Sequence, residues 1–294
     1  MESSFSKTAF AGPPVPAGLL PPEPDVDAAY GMPYLDEAVA VVSKSGDLPC
    51  HPSGRYRTHT LEHLLREKEG FDGVHFVSRL DRETSGCVLV ARSVEAASRL
   101  GKDMMASRIR KEYLCIVRET AQSEPIPSDD WLRAEGWIWP VGDEEVFKYR
   151  WFTRTPDPPA ADRPGLAPRG AAQSAATELR VLPWETFGMV PVPGFRLVHC
   201  RPITGRTHQI RATLRGLGYE VVGDKLYGPS PSLYARMCQD ALTEADRAAL
   251  GMRRQALHAW KLSFRHPDTR EDLSVEATPA AMLAEFEAMG RLSI

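Results

Sequence analysis

The chain has 294 residues, enough to bury a full core as one large domain or two small ones, and its 43% hydrophobic and 26% charged content is that of a globular protein. No apolar run approaches the roughly 20 residues of a membrane helix, and no basic stretch followed by an apolar core opens the chain, so the sequence reads as cytoplasmic, without membrane span or secretory signal. The five cysteines, at 50, 87, 115, 200 and 238, form no C-x-x-C pair, which argues against a disulfide framework and a zinc site, and the net charge of −3 does not advertise a nucleic-acid binder.

Residues 1 to about 33 are rich in Pro, Gly, Ser and Ala; Gly12-Pro13-Pro14 and Pro21-Pro22-Glu23-Pro24 argue against a helix, so this stretch reads as a tail or an arm over the body. Residues 34–294 read as one domain. A strand is expected at Ala38–Val42, followed by a turn-rich loop from Lys44 to Pro52. Thr60 is placed to cap a helix from Leu61 to about Lys68 that buries Leu61, Leu64 and Leu65 and ends at Gly70. Ser93 is placed to cap a second, from Val94 to about Ser107, burying Ala97, Leu100 and Met104; a strand at Glu112–Val117 follows.

Between Glu119 and Ala172 the pattern is weakest. Strands are expected near 136–140 and 146–152, and a proline-rich surface loop over 156–168. Strands resume at 176–182 and 195–200, a helix runs from about Thr207 to Leu217 and stops at Gly218, and Thr243-Glu244-Ala245-Asp246 opens another. Strands at 257–265 and 273–276 precede a last helix with Thr278 as N-cap and Pro279 at N1. Strands outnumber helices and rarely alternate with them, which favours an α+β fold with a mostly antiparallel sheet.

Charge is unevenly placed. Arg196, Arg201, Arg206, Arg211 and Arg215 fall in one stretch without an acid, and six basic residues lie between Arg99 and Arg118 against Asp103 and Glu112. Together they are expected to form a basic surface able to hold phosphates, although arginines on a strand and helix are also an ordinary solvated face.

The chemistry concentrates in His75-Phe76-Val77-Ser78-Arg79-Leu80-Asp81-Arg82-Glu83-Thr84-Ser85-Gly86, just ahead of the apolar run Cys87–Ala91. A carboxylate beside a buried strand is costly unless paired, and Arg79, Arg82 or a distant arginine would keep Asp81 ionised. Alone, Arg-Leu-Asp-Arg is more often a surface turn. A second stretch, Gly205-Arg206-Thr207-His208-Gln209-Ile210-Arg211, joins a strand to a helix through a glycine and offers Arg206, His208 and Arg211 from its first turns.

Both stretches resemble signatures of the RNA pseudouridine synthases of the RluA type. Lys111-Glu112-Tyr113, Val222–Gly228 and Leu257–Pro267 agree with further segments of that family in the expected order. Two positions depart from it: Ser78 stands where a histidine is common and Ser45 where a proline is usual. No S4-type RNA-binding module is evident in the tail, which argues weakly for a small stem-loop or tRNA as substrate. The resemblance implies a pseudouridine synthase sheet flanked by helices and loops, with Asp81 catalytic, Arg211 paired with it and Tyr113 against the target base.

It also implies RNA contacts at Arg79, Arg82, Lys111, Arg206 and His208, with Arg79 entering the gap left by a flipped base. The substrate would be a stem-loop of rRNA or tRNA, with no cofactor, metal, membrane or obligatory protein partner, and the enzyme a monomer. Whether the carboxylate attacks C1′ or steadies charge there before a glycal forms is left open. The rivals are a noncatalytic RNA-binding or RNA-folding protein on the same fold, and a carboxylate glycosidase with Glu83 sharing the face of Asp81 as its second acid.

Overall fold

The computed structural model describes residues 22–142, 150–157, 167–168, 170–230 and 232–291. In chain order the strands are β1 (Tyr30–Leu35), β2 (Val39–Lys44), β3 (His75–Phe76), β4 (Ser85–Ala91), β5 (Arg110–Arg118), β6 (Leu132–Gly142), β7 (Arg150–Thr153), β8 (Ala167–Pro168), β9 (Gln173–Leu182), β10 (Phe195–Pro202), β11 (Glu220–Val221), β12 (Leu257–Arg265) and β13 (Asp272–Glu276). The helices are α1 (Leu61–Glu67), α2 (Val94–Met105), α3 (Gln209–Gly216), α4 (Leu233–Cys238), α5 (Glu244–Leu250) and α6 (Ala280–Arg291).

The main sheet path is β1-β2-β4-β12-β5-β10-β9-β6-β7, with β3 on β4, β11 on β5, β13 on β12 and β8 on β6. The β4–β12 pair is parallel and the other pairings are antiparallel, so the α+β expectation holds.

The central strand β5 shows why its sequence is an unbroken apolar run. Tyr113, Cys115 and Val117 enter one core layer, while Leu114 and Ile116 enter the opposite layer with Trp184 and Phe286, so both faces are covered. Tyr113 therefore lies on the α3 side of the sheet, with Ile210, Ala212 and Leu214 of α3 in its layer.

Three helix starts follow their side-chain caps: Thr60, Ser93 and Thr243 accept from the backbone amides of His63, Ala96 and Asp246. In α2 the buried face is turned by about one residue from expectation. Ala96, Leu100 and Asp103 are buried, and Ala97 and Met104 pack only partly buried against the core. The last helix begins at Ala280, whose amide donates to Thr278 Oγ1.

The tail boundary also moves. Tyr30–Leu35 is an edge strand on β2, so the residues just before 34 belong to the sheet. The amide of Ser45 donates to Ala29 O at 2.8 Å, a bond that a proline at this position could not make. Ahead of β1, the Glu23 carboxylate accepts from the amides of Arg57, Thr58 and His59. These contacts tie residues 22–29 to the loop after β2. The strand expected at 146–152 is described only from Arg150, and most of the 156–168 loop lies outside the described residues.

Candidate active site

Asp81 opens a four-residue turn closed by the Thr84 amide donating to the Asp81 carbonyl at 3.1 Å, and β4 starts directly after it at Ser85. The turn is held from below. The Lys44 ammonium, at the end of β2 and only 2% exposed, donates to the carbonyls of Ser45 and Arg82 at 3.0 Å and to that of Thr84. Burial lowers the Lys44 pKa to about 8, which leaves it mainly protonated at neutral pH and close enough to act on Asp81. Gln255 adds a bond to Thr84 Oγ1 at 2.6 Å.

A turn, and not an extended strand, carries the chain from Asp81 to Thr84. Glu83, which the glycosidase rival places on the face of Asp81, is directed into ion pairs with Lys225 at 2.8 Å and Arg82 at 3.1 Å. This removes it as the second acid of a glycosidase. The Arg82 guanidinium is engaged within the protein, reaching Asp47 at 2.9 Å and the Tyr56 hydroxyl at 2.7 Å, with 29% of the side chain exposed. Arg79 is exposed, with Nη1 3.5 Å from His51 Nε2 and no carboxylate partner among the described residues.

Arg211 comes from α3, which packs against β7, β9 and β11 and is buried along most of its length. Its guanidinium bridges two carboxylates. Nη1 donates to Asp81 Oδ2 at 2.7 Å, while Nε and Nη2 donate to Asp224 Oδ2 and Oδ1 at 2.7 and 2.8 Å. The same guanidinium lies 4.9 Å from the centroid of the Tyr227 ring.

The loop entering α3 is fixed by Gln209. Its side-chain oxygen accepts from Thr204 Oγ1 and the Arg206 amide, and its nitrogen donates to Ala176 O and Thr177 Oγ1. His208 sits just before the helix at φ 56°, in the left-handed region. There it places Nδ1 3.0 Å from the Tyr227 hydroxyl and Nε2 3.8 Å from Asp81 Oδ1.

The charges follow from this packing. Burial raises the Asp81 carboxyl, but the neighbouring His208 and Arg211, the Arg211 hydrogen bond and Lys44 outweigh it and the net direction is down. Burial pushes His208 down to about 4, so its ring is neutral at pH 7. Tyr113 is raised by burial and by the Asp81 charge, and it stays a phenol. Asp81 retains 32% side-chain exposure while Arg211 has 8% and Asp224 none: one carboxylate opens outward above a buried pair. With Oδ2 taken by Arg211, Oδ1 has no hydrogen-bonded partner among the described residues.

The structure thus brings Asp81, Arg211 and His208 together, with Tyr113 within electrostatic reach. Lys111 and Arg206 are farther out; Lys111 Nζ lies 3.8 Å from Met104 Sδ, and Arg206, ahead of the helix and not on its first turn, donates from Nε to Ser174 O at 2.9 Å. Six arginines of the two arginine-rich stretches stand in ion pairs within the protein. Arg196, Arg201 and Arg215 pair with Glu119, Glu112 and Glu220, and Arg99, Arg108 and Arg118 pair with Asp268, Asp103 and Glu220. Asp224 and Lys44 were not singled out from sequence as site residues, because a lone acid in Gly-Asp-Lys and a lone lysine in a loop carry no spacing signal. Among the described residues no three His, Cys, Asp or Glu side chains gather as metal ligands.

A carboxylate held by an arginine at the foot of a parallel strand pair coincides with the region matched by a known family profile, that of RNA pseudouridylate synthase, over residues 38–215. The chain belongs to the RNA pseudouridylate synthase family. It is 28% identical over 267 residues to the ribosomal large subunit pseudouridine synthase D of Nitrosomonas europaea, covering 88% of this chain and 65% of that protein. Against the synthase D of Xylella fastidiosa it is 31% identical over 263 residues, covering 85% of this chain and 64% of that one.

The chain therefore spans about 65% of the length of these relatives. Among solved structures, human RNA pseudouridylate synthase domain containing 1 superposes with a TM-score of 0.58 at 25% identity, over 87% of this chain and 86% of that one. Asp81 and Arg211 both fall inside the synthase profile. Asp224 and Tyr227 lie beyond its end, so their part in the site rests on geometry.

Proposed function

We propose that the protein is an RNA pseudouridine synthase that isomerises a uridine of structured RNA, with Asp81 as the reacting carboxylate. The C1′–N1 glycosidic bond breaks, the uracil turns, a C1′–C5 bond forms, the C5 proton leaves and N1 gains one. The balance needs neither oxidant nor cofactor. The observation that carries this reading is the Arg211–Asp81 pair at 2.7 Å, which keeps the carboxylate ionised, aims one of its oxygens and leaves the other without a hydrogen bond among the described residues, on a side chain that keeps 32% exposure. Its free oxygen, Oδ1, is the one assigned to the ribose.

Tyr113 supplies a neutral aromatic face for the uracil, and a paired uridine must be flipped to reach it. Arg79 is the residue assigned to the vacated stack, because it is exposed and unpaired by any acid among the described residues. Lys111 and Arg206 are assigned to phosphates, and His208 to the target nucleotide. The names of the bacterial relatives favour ribosomal RNA as the first substrate to test, beside tRNA stem-loops. The protein is read as a cytoplasmic monomer with RNA as its partner.

Asp81→Asn tests the assignment. It keeps the shape but removes the charge, so tritium release from RNA labelled at uridine C5 should fall below detection while RNA affinity stays within about threefold, the cost of one neutralised contact at most. Release near the wild-type rate would sink the reading.

A further inference from the structure

We propose that Asp224 is a positioning residue for this reaction: it sets the pose of Arg211 and through it the aim of Asp81. The inference rests on Asp81 being the reacting carboxylate. Asp224 is fully buried, and its carboxylate is completely used: Oδ1 accepts from the amides of Leu226 and Tyr227 at 2.9 and 3.0 Å, and the two oxygens take Nε and Nη2 of Arg211.

A two-point clamp on one edge of a planar guanidinium removes rotation about its stem, so the third nitrogen, Nη1, has one direction left. That direction is Asp81 Oδ2. The turn at 224–227 would be served by any short acceptor. Only a carboxylate supplies both the turn and the clamp.

Charge leads to the same assignment. Burying Arg211 against Asp81 alone beside Lys44 would give two cations to one anion in an enclosed site, and the excess would tie the reacting carboxylate down. With Asp224 the buried groups are two cations and two anions, and His208 is neutral at pH 7. The second carboxylate thus satisfies Arg211 without occupying Asp81, whose remaining oxygen stays available.

The test is Asp224→Asn, which keeps an acceptor for the turn but weakens the clamp. The single-turnover rate at saturating RNA should fall by about tenfold or more, as expected when a reacting group loses its alignment, while half-saturation stays within about twofold. In nitrogen-15 spectra the Arg211 Nε–H should exchange with solvent faster in this variant, yet remain protected in Asp81→Asn. A general loss of packing would not divide the two variants in this way.

Asp224→Ser, which retains a turn acceptor, is the second variant should the first not fold, and the same readouts decide. A rate within about twofold of wild type, or RNA affinity falling as much as the rate, overturns the inference. An active Asp81→Asn would overturn the reading of the site itself, whereas an inactive Asp81→Asn beside a fully active Asp224→Asn would overturn only the role of Asp224.

Discussion

Arg211→Lys separates a buried bridge from a phosphate contact. The wild-type side chain makes three charge-assisted bonds of 2.7 to 2.8 Å to two carboxylates and is 8% exposed, so no room remains for RNA on the guanidinium. Lysine keeps one positive charge but presents it at a point, and it cannot hold both oxygens of Asp224 and one of Asp81 in a common plane. Removing one partner of a buried ion pair costs about 3–5 kcal/mol; with the charge retained and the Leu226 and Tyr227 amides still on Asp224, about half of that, near 2 kcal/mol, is expected. At about 2–4 °C per kcal/mol for a chain of this size, the melting temperature should fall by about 4–8 °C. A carboxylate displaced by about 1 Å costs about a hundredfold in rate, so single-turnover pseudouridine formation should drop by that order while RNA affinity, read by filter binding, changes by less than about threefold. An affinity loss of tenfold with the rate and melting temperature intact would make Arg211 a phosphate contact and refute the bridge.

Arg79→Ala should slow a structured stem-loop by about tenfold but a flexible strand of the same sequence by less than about threefold, because only the stem-loop loses stacking worth a few kcal/mol when the base leaves; equal losses on both RNAs would take Arg79 out of the flipping step. His208 and His258 are both pushed by burial from 6.5 to about 4, so they are neutral in the fold and take up protons more readily once unfolded. Their contribution to stability is complete above pH 6.5 and is lost as pH falls towards 4, by up to about 3 kcal/mol each. Urea midpoints at pH 7 and pH 4.5 should show the drop, and His258→Gln should reduce it; an unchanged drop would exclude His258 as a source. Gly86 has φ 101°, and a Cβ there would collide with the Ala259 carbonyl where β4 meets β12. Gly86→Ala should therefore cost about 3 kcal/mol or abolish folding, whereas Gly101→Ala, in open space on α2, should stabilise by about 0.5–1 kcal/mol; a harmless Gly86→Ala would contradict the close strand approach.

Sequence disclosed what is written locally. Thr60, Ser93 and Thr243 mark helix starts because a cap and its amide are three residues apart, and the β5 run is legible because a strand covered on both faces needs apolar residues at every position. The motif around Asp81 and the Gly205–Arg211 stretch are contiguous, so the principal site residues could be picked out together. What stayed hidden are pairings set by the fold over long separations. Lys44 grips carbonyls 38 and 40 residues away, and Glu83 answers Lys225 at a separation of 142. The glycosidase rival fails for a definite reason: it needs alternation across Asp81–Thr84, but the Thr84 amide closes a turn there and the period of two starts only at Ser85.

The arginine-rich stretches hide their pairing for another reason. Counting arginines along the chain records the cations, but the acids that neutralise them arrive from other strands, as Glu112 of β5 does for Arg201 of β10. The same pairing makes the net charge of −3 compatible with the proposed RNA substrate. Most arginines of the described residues stand in internal ion pairs, while Arg79, Lys111 and Arg206, the residues proposed to meet RNA, have no acid partner among the described residues. On the proposed function, selection of the RNA would rest less on long-range attraction than on whether a base can be turned out towards Tyr113 and Asp81, which would tie specificity to the local deformability of the RNA.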